Sequence, residues 1–208
     1  MADYRVTFDS GEFFMSIESS VRACRICEAK FRATATAHDP NPVFWCSPNA
    51  RILIAGQAPG IRVHKSGIPF SDPSGVRLRN WMGVTEELFY DRDRIAILPM
   101  AFCFPGYDGN GGDLPPPLIC AKTWRDRILQ RLESIETSLL VGAYAQKWHL
   151  GSRARSVSAT VADWEEFAPS AYPLPHPSWR NNGWLKRNPW FEAELLPALR
   201  RRLRRILV

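Results

Sequence analysis

Four short apolar runs, at 51–55, 94–98, 138–141 and 171–174, are each bounded by turn residues. Between them lie stretches with helical periodicity, at about residues 10–25, 74–90, 122–135, 143–149 and 190–206. Strands that alternate with helices pair in parallel and are covered on both faces. The pattern therefore predicts an α/β fold, a three-layer α/β/α sandwich with a central, mostly parallel four-stranded sheet. Ligands of such sheets bind beyond the carboxyl ends of the strands. The segments 56–73, 99–120 and 175–188 follow the first, second and last runs and are expected to converge on one cleft. Neither an internal repeat nor a low-complexity tract interrupts the chain, and residues 1–208 are expected to form one domain.

Every apolar stretch is broken by Arg, Lys or Asp short of the roughly 20 residues that cross a bilayer, so a transmembrane role is not expected. The leading MADYRVTFDS has no basic lead followed by an apolar core, and five cysteines cannot all pair, so a secreted disulfide framework is not indicated. A cytoplasmic, nucleoid-associated protein of bacterial type is expected. The net charge of +6 favours a polyanionic partner, nucleic acid before membrane. Arg200, Arg201, Arg202, Arg204 and Arg205 crowd the carboxyl terminus. They suit either a binding surface or the solvated face of an amphipathic helix whose buried stripe is Leu196, Leu199, Leu203 and Ile206. Of eight tryptophans, Trp179, Trp184 and Trp190 lie in a basic, Asn-rich stretch and Trp164 precedes it, an arrangement that suits base stacking or core packing.

The cysteines follow the pattern Cys24-x2-Cys27 and Cys103-x16-Cys120. Two thiolates one turn apart, joined by two from distant positions, can surround one metal centre, either an iron–sulfur cluster or a four-thiolate zinc ion. A chain of 208 residues buries enough core to be stable without them. Cys46 is left over as a small buried apolar residue.

Gly56-Gln57-Ala58-Pro59-Gly60, after the first strand, is neither a Walker loop nor a dinucleotide fingerprint. It combines with Gly67-Ile68-Pro69-Phe70-Ser71-Asp72 downstream and with Leu174-Pro175-His176-Pro177-Ser178 after the last strand. In order, spacing and strand context this set resembles the uracil-DNA glycosylase superfamily, and within it the iron–sulfur branch whose first motif reads GEAPG. The likeness runs from Cys24 to about Phe191.

The resemblance implies an enzyme that flips uracil out of DNA and hydrolyses its N-glycosidic bond, with a 4Fe-4S cluster on Cys24, Cys27, Cys103 and Cys120 in a structural role. It implies that His176 donates to the base oxygen as negative charge grows there, an alternative being a purely structural histidine between two prolines. Phe70 would stack on the extruded base. Gly56, Gln57, Ala58, Pro59 and Gly60 would line the pocket, the glycines allowing close main-chain approach, with Ser71 beside them and Gln57 counted with His176 and Asp72 among the catalytic residues. Ser178 would sit at a DNA phosphate, and Trp179, Arg180, Asn181 and Asn182 fall where the family places the loop that wedges into the duplex.

Two departures stand out. Gln57 and Ala58 leave no carboxylate in the first motif, so Asp72 or His64 is expected to orient water, Asp72 first, unless it only caps the helix beginning near Ser74. The Asn that pairs with the uracil edge, four residues before the third cysteine in family members, is replaced by Pro99, so an Asn elsewhere (Asn80, Asn181 or Asn182) or main-chain groups would have to read the base. The leading expectation is a monofunctional, monomeric glycosylase acting on uracil-containing DNA, because no lysine sits in the matched motifs; Lys65 nearby leaves a lyase activity open. A glycosylase for another deaminated base, a catalytically impaired damaged-DNA-binding module and an enzyme acting on free nucleotides are the alternatives.

Overall fold

The computed structural model describes the backbone from residue 10 and side chains from residue 16 onward. The leading segment on which the absence of a secretory signal was judged thus lies almost wholly outside the described residues. Helices α1 (Ser10–Arg22) and α2 (Glu28–Arg32) precede β1 (Ile52–Ala55), which leads through α3 (Ile61–Ser66), α4 (Pro73–Met82) and α5 (Glu86–Phe89) to β2 (Ile95–Ile97). A continuous rod follows, formed by α6 (Leu118–Cys120), a π-helical turn over Ala121–Arg125 and α7 (Asp126–Leu129). Then come β3 (Thr137–Val141), α8 (Ala143–Leu150), α9 (Val157–Ala162), β4 (Ala171–Leu174), α10 (Asn182–Arg187) and α11 (Leu196–Leu207).

All four strands pair in parallel, in the order β2-β1-β3-β4. Their alternation sorts the core into two layers. Ile52, Ile54, Ile97 and Val141 face Leu78 and Trp81 of α4 and Leu199 and Leu203 of α11. Leu53, Ala96 and Leu98 face Ile17 and Val21 of α1 and Trp124 and Ile128 of the rod. Ala55 and Leu140 meet Ala145 and Leu150 of α8 on that second side. The predicted three-layer sandwich is what forms, and the sheet is wholly parallel.

Helical boundaries differ from expectation where backbone chemistry overrides periodicity. The single helix expected over 74–90 is two, because Gly83 (φ 67°) ends α4 in the left-handed conformation and the Thr85 hydroxyl caps α5 by accepting from Leu88 N at 3.3 Å. Helices α2, α3, α9 and α10 span five or six residues each, too short for an apolar stripe to repeat.

The carboxyl-terminal arginines divide. The buried stripe of α11 is the predicted one, Leu196, Leu199, Leu203 and Ile206. Arg200 donates to the carbonyls of Asn80 (2.8 Å) and Trp81 (3.1 Å) at the end of α4. Arg202 pairs with Glu136 at 3.5 Å, and Arg94 donates to Leu207 O at 2.6 Å. Arg94 and Glu136 immediately precede β2 and β3, so this end of α11 lies at the amino ends of the strands, opposite the end where ligands of such sheets bind. Arg201, Arg204 and Arg205 form a solvated face there.

Arg125, 1 % exposed, ties the end of β2 to the second layer. It donates to the carbonyls of Leu98 (3.0 Å) and Pro99 (3.1 Å) and to Nε2 of His149 (2.7 Å). Burial, with the guanidinium adding to it, lowers His149 to about 3, so its ring is neutral and accepts the bond. In the unfolded chain His149 takes up a proton near pH 6.5. Its contribution to stability is therefore complete above that pH and is lost as pH falls toward 3, at up to about 1.4 kcal/mol per pH unit. Urea titrations at neutral and mildly acidic pH are expected to show a smaller acid loss in His149→Asn than in the wild type, and equal losses would refute the assignment.

Candidate active site

Beyond the carboxyl end of β1 the chain enters the turn at 56–60, and Phe70 returns to lie against it. A Cβ at Gly56 would stand 3.4 Å from the tip of the Phe70 ring, so the glycine seats the ring on the strand end. Phe70 has a positive φ of 54°, uncommon for a residue with a side chain. Three contacts maintain it. Its carbonyl occupies the space beside Gly75, where a Cβ would fall 1.7 Å from the oxygen; its ring meets Phe89 edge-on at 6.1 Å; and Tyr90 Oη donates to the Pro69 carbonyl at 3.0 Å. Asp72 caps α4, Oδ1 accepting from Gly75 N at 3.2 Å, so the capping role weighed from sequence is present.

The same Asp72 borders a cavity with two chambers. An inner pocket of about 90 Å³ is lined by Gly56, Gly60, Val63, Phe70, Ile97 and Pro99 among others. An outer cleft of about 860 Å³ is walled by Arg62, Arg77 and Arg180, with Pro105 and Asp108 from the 99–120 segment and Ser178 and Asn181 from the last loop. The three expected segments do converge. Gln57, Ala58, Pro59, Asp72, Asp113 and His176, with Ser74, line both chambers and so form the throat between them.

His176 is held by its own loop: its carbonyl accepts from Asn181 Nδ2 at 2.7 Å, and the Ser178 carbonyl accepts from Arg77 Nη1 at 3.0 Å. Burial depresses its affinity for a proton; Asp72 and Asp113 oppose the shift, Arg180 reinforces it, and the net direction is down. The ring is thus neutral at pH 7, a donor through one N–H without carrying charge. Trp179 stands 73 % exposed on the rim, with the Arg180 guanidinium 6.0 Å from its ring centre.

Other sequence candidates fall outside both chambers. His64 does not reach the cavity; it packs edge-on against His38 (5.0 Å) beside Phe104 (6.0 Å), because the start of α3 turns it toward the 31–41 segment. Ser71 Oγ is engaged with Ser66 Oγ at 2.7 Å. Asn182 opens α10 and is not part of the lining, and neither is Asn80, on α4. Sequence reasoning missed Arg62, Arg77 and Asp113. Asp113 sits in a Gly- and Pro-rich segment with no periodicity, and only folding of that segment over the strand ends brings it to the throat.

Cys24, Cys27, Cys103 and Cys120 line a separate small apolar cavity with Phe31, Ala101 and Trp124. None of the four is paired in a disulfide. Burial and then mutual proximity push Cys103 up to about 12; burial pushes Cys120 up to about 11 against the Phe102 amide, which donates to its Sγ at 3.4 Å. Among the described residues no group of three or more His, Cys, Asp or Glu side chains is arranged to grip a single metal ion. Cys46 is buried in the layer packed on α1, against which Cys24 and Cys120 also pack, but it does not line that cavity.

Gly75→Ala is expected to cost about 1–3 kcal/mol, because the new methyl group collides with main-chain oxygen that cannot retreat. Gly60→Ala, where an added Cβ meets nothing within 4 Å, is the control. Urea midpoints measure both, and equal midpoints would show that Phe70 is not locked.

The family model described as the uracil DNA glycosylase superfamily matches residues 43–200. That span contains all four strands, every throat residue, Cys103 and Cys120, while Cys24 and Cys27 precede it. With more than half of its length matched and both chambers of the cavity built from the matched span, the chain belongs to the uracil DNA glycosylase superfamily.

Proposed function

We propose that this protein is a monofunctional DNA glycosylase, working as a monomer, that flips uracil out of DNA and hydrolyses its N-glycosidic bond to leave an abasic site. The observation that carries the reading is the throat. A base held in the inner pocket and a sugar–phosphate backbone lying in the basic outer cleft would be joined by one bond, and that bond would lie in the throat that His176 and Asp72 help to line.

In this reading Arg62, Arg77, Arg180 and Ser178 meet phosphates, and Trp179, the most exposed ring of the rim, fills the gap left in the stack. The extruded base stacks on Phe70, an interaction worth about 1–3 kcal/mol. Bond breaking places negative charge on the base and positive charge on the sugar. Neutral His176 donates a hydrogen bond to the base oxygen as charge builds, with no proton to lose beforehand. The Asp72 carboxylate stabilises the cationic sugar. Water then bonds to C1′, the electron pair of the old bond staying on the base nitrogen. No lysine lines either chamber among the described residues, which supports hydrolysis rather than an imine with the sugar. Among the described residues Gln57 is the one side-chain amide lining the inner pocket, and it would read the base edge in place of the Asn that Pro99 replaces. The same replacement favours a second reading, a glycosylase for hypoxanthine or xanthine.

Cys24, Cys27, Cys103 and Cys120 would hold a 4Fe-4S cluster, as in the iron–sulfur branch; zinc is the rival metal for four thiols, disfavoured because no group of the described side chains is arranged to grip a single ion. The supporting observation is that all four line one cavity. The cluster, when bound, would act as a cross-link between the 24–27 segment and the 103–120 segment.

Excision is measured on labelled oligonucleotides carrying one uracil, single- and double-stranded, as strand breakage after alkali. The wild type is expected to cleave, and His176→Ala and Asp72→Asn to lose about 10²–10⁴-fold in rate. Trp179→Ala should slow duplex more than single-stranded cleavage. A folded wild type inactive on uracil, hypoxanthine and xanthine would leave a damaged-DNA-binding module as the better reading. Protein purified without oxygen is expected to carry iron and acid-labile sulfide in equal amounts and to lose both in Cys24→Ser; zinc in their place would overturn the cluster.

A further inference from the structure

We propose that Asp113 is a second catalytic carboxylate of this site, carried to the reacting sugar by the hairpin between Cys103 and Cys120, where it takes the proton from the attacking water. The inference rests on the glycosylase reading above and assigns the base that the reading leaves open.

Position comes first. Asp113 lines both chambers, and its carboxylate is near enough to His176 and Asp72 to interact with both electrostatically, although it is carried on the 106–114 segment, separate in sequence from the elements that bear them. The segment that carries it is built to hold a place. Gly106 and Leu114 close its base through Leu114 N to Gly106 O at 2.9 Å, and Tyr107 bridges to Asp113 in antiparallel fashion. Asp108 organises the tip: Oδ1 accepts from the amides of Asn110 and Gly112, each at 2.8 Å, and its own amide donates to Gly112 O at 2.8 Å. Gly106 (φ 97°) packs so closely on Thr34 that a Cβ would lie 2.8 Å from its methyl carbon. The base of the hairpin is thereby seated on the segment that follows α2.

Availability comes second. Asp72 spends Oδ1 on the Gly75 amide, and moving it would uncap α4. Asp113 has no hydrogen bond or ion pair to the protein among the described residues. The charged and titratable groups that face it are Arg180 and His176 from the last loop, Asp72 at the start of α4, and Asp108 of its own hairpin. Partial burial, assisted by the two neighbouring carboxylates and opposed by Arg180 and His176, raises its affinity for a proton above that of an ordinary aspartate. A base with raised affinity takes a proton more readily, while a carboxylate bound by an amide serves better as a fixed negative charge. The labour divides accordingly. As C1′–N breaks, its electron pair passes to the base. The water oxygen bonds to C1′, and the proton it sheds passes to Asp113 while Asp72 faces the cationic sugar.

The test is single-turnover excision of uracil from a single-stranded oligonucleotide by metal-replete wild type, Asp113→Asn and Asp113→Glu, from about pH 4 to 8. Binding to an abasic product oligonucleotide is measured in parallel. Asp113→Asn is expected to lose about 10²-fold or more in rate with product affinity unchanged. The part of the wild-type acid limb that lies above the ordinary aspartate value of about 3.9 is expected to move to lower pH, the remainder belonging to the other ionisable groups of the throat. Asp113→Glu should restore part of the rate and the limb. Full activity of Asp113→Asn, or a loss of rate with the acid limb intact and binding weakened, would overturn the proposal, the latter making Asp113 a mere partner of Arg180. Wild-type inactivity on uracil, hypoxanthine and xanthine would instead sink the glycosylase reading, and this inference with it.

Discussion

Pairing four short strands all in parallel is the constraint from which the rest follows. Each strand is apolar on both faces, so each connection must return across a face of the sheet, and every connection leaves from the same end. Three segments of unrelated sequence are thereby brought over that end, and the strand order turns at β1, which has β2 on one side and β3 on the other. A crevice at such a turning point is a geometric necessity of an open sheet. The chain fills its floor with the ring of Phe70 and its walls with arginines.

The electrostatics of the throat depend on that convergence. In the proposed reaction a neutral histidine serves beside the departing base only if burial outweighs two carboxylates that would charge it. Here burial is the larger influence, and Arg180 adds to it. The carboxylates in turn remain tolerable because they enter from different elements, one fixed by a helix cap and the other by a hairpin. Remote side chains serve the site indirectly: Arg125 holds the Pro99 carbonyl from behind, so the floor of the inner pocket is fastened to the opposite layer.

Much of this was legible in the sequence, for reasons that differ by element. The strands were visible because each is a short apolar run between polar turns, and their register differs from the runs by a residue or so. The stripe of α11 was visible because twelve residues allow it to repeat. The motif residues Gln57, Phe70, Asp72 and His176 could be named because the three motifs that hold them resemble those of the superfamily, and folding does bring them together. Asp113 could not, since a carboxylate among glycines and prolines looks like any solvated loop residue. His64 misled for the opposite reason: it lies six residues from Phe70 and Val63 is in the pocket wall, but one helical step turns its ring away. The purpose of the arginine run was equally hidden, because charge alone does not reveal which end of a sheet it will face.

Leu174 and Ser170 turn their carbonyls toward β3, to Gly142 N at 2.9 Å and Ser138 N at 2.9 Å. By the two-residue alternation of a strand, Pro173 between them directs its nitrogen outward, where β4 has no further partner strand among the described residues. A ring nitrogen without hydrogen interrupts the row of donors that an exposed edge would offer to a passing strand. The sheet thus ends where it does by chemistry as well as by chain length: another copy that approaches this edge finds no continuous ladder to extend, and crowding along a DNA molecule carries less danger of strand-by-strand aggregation.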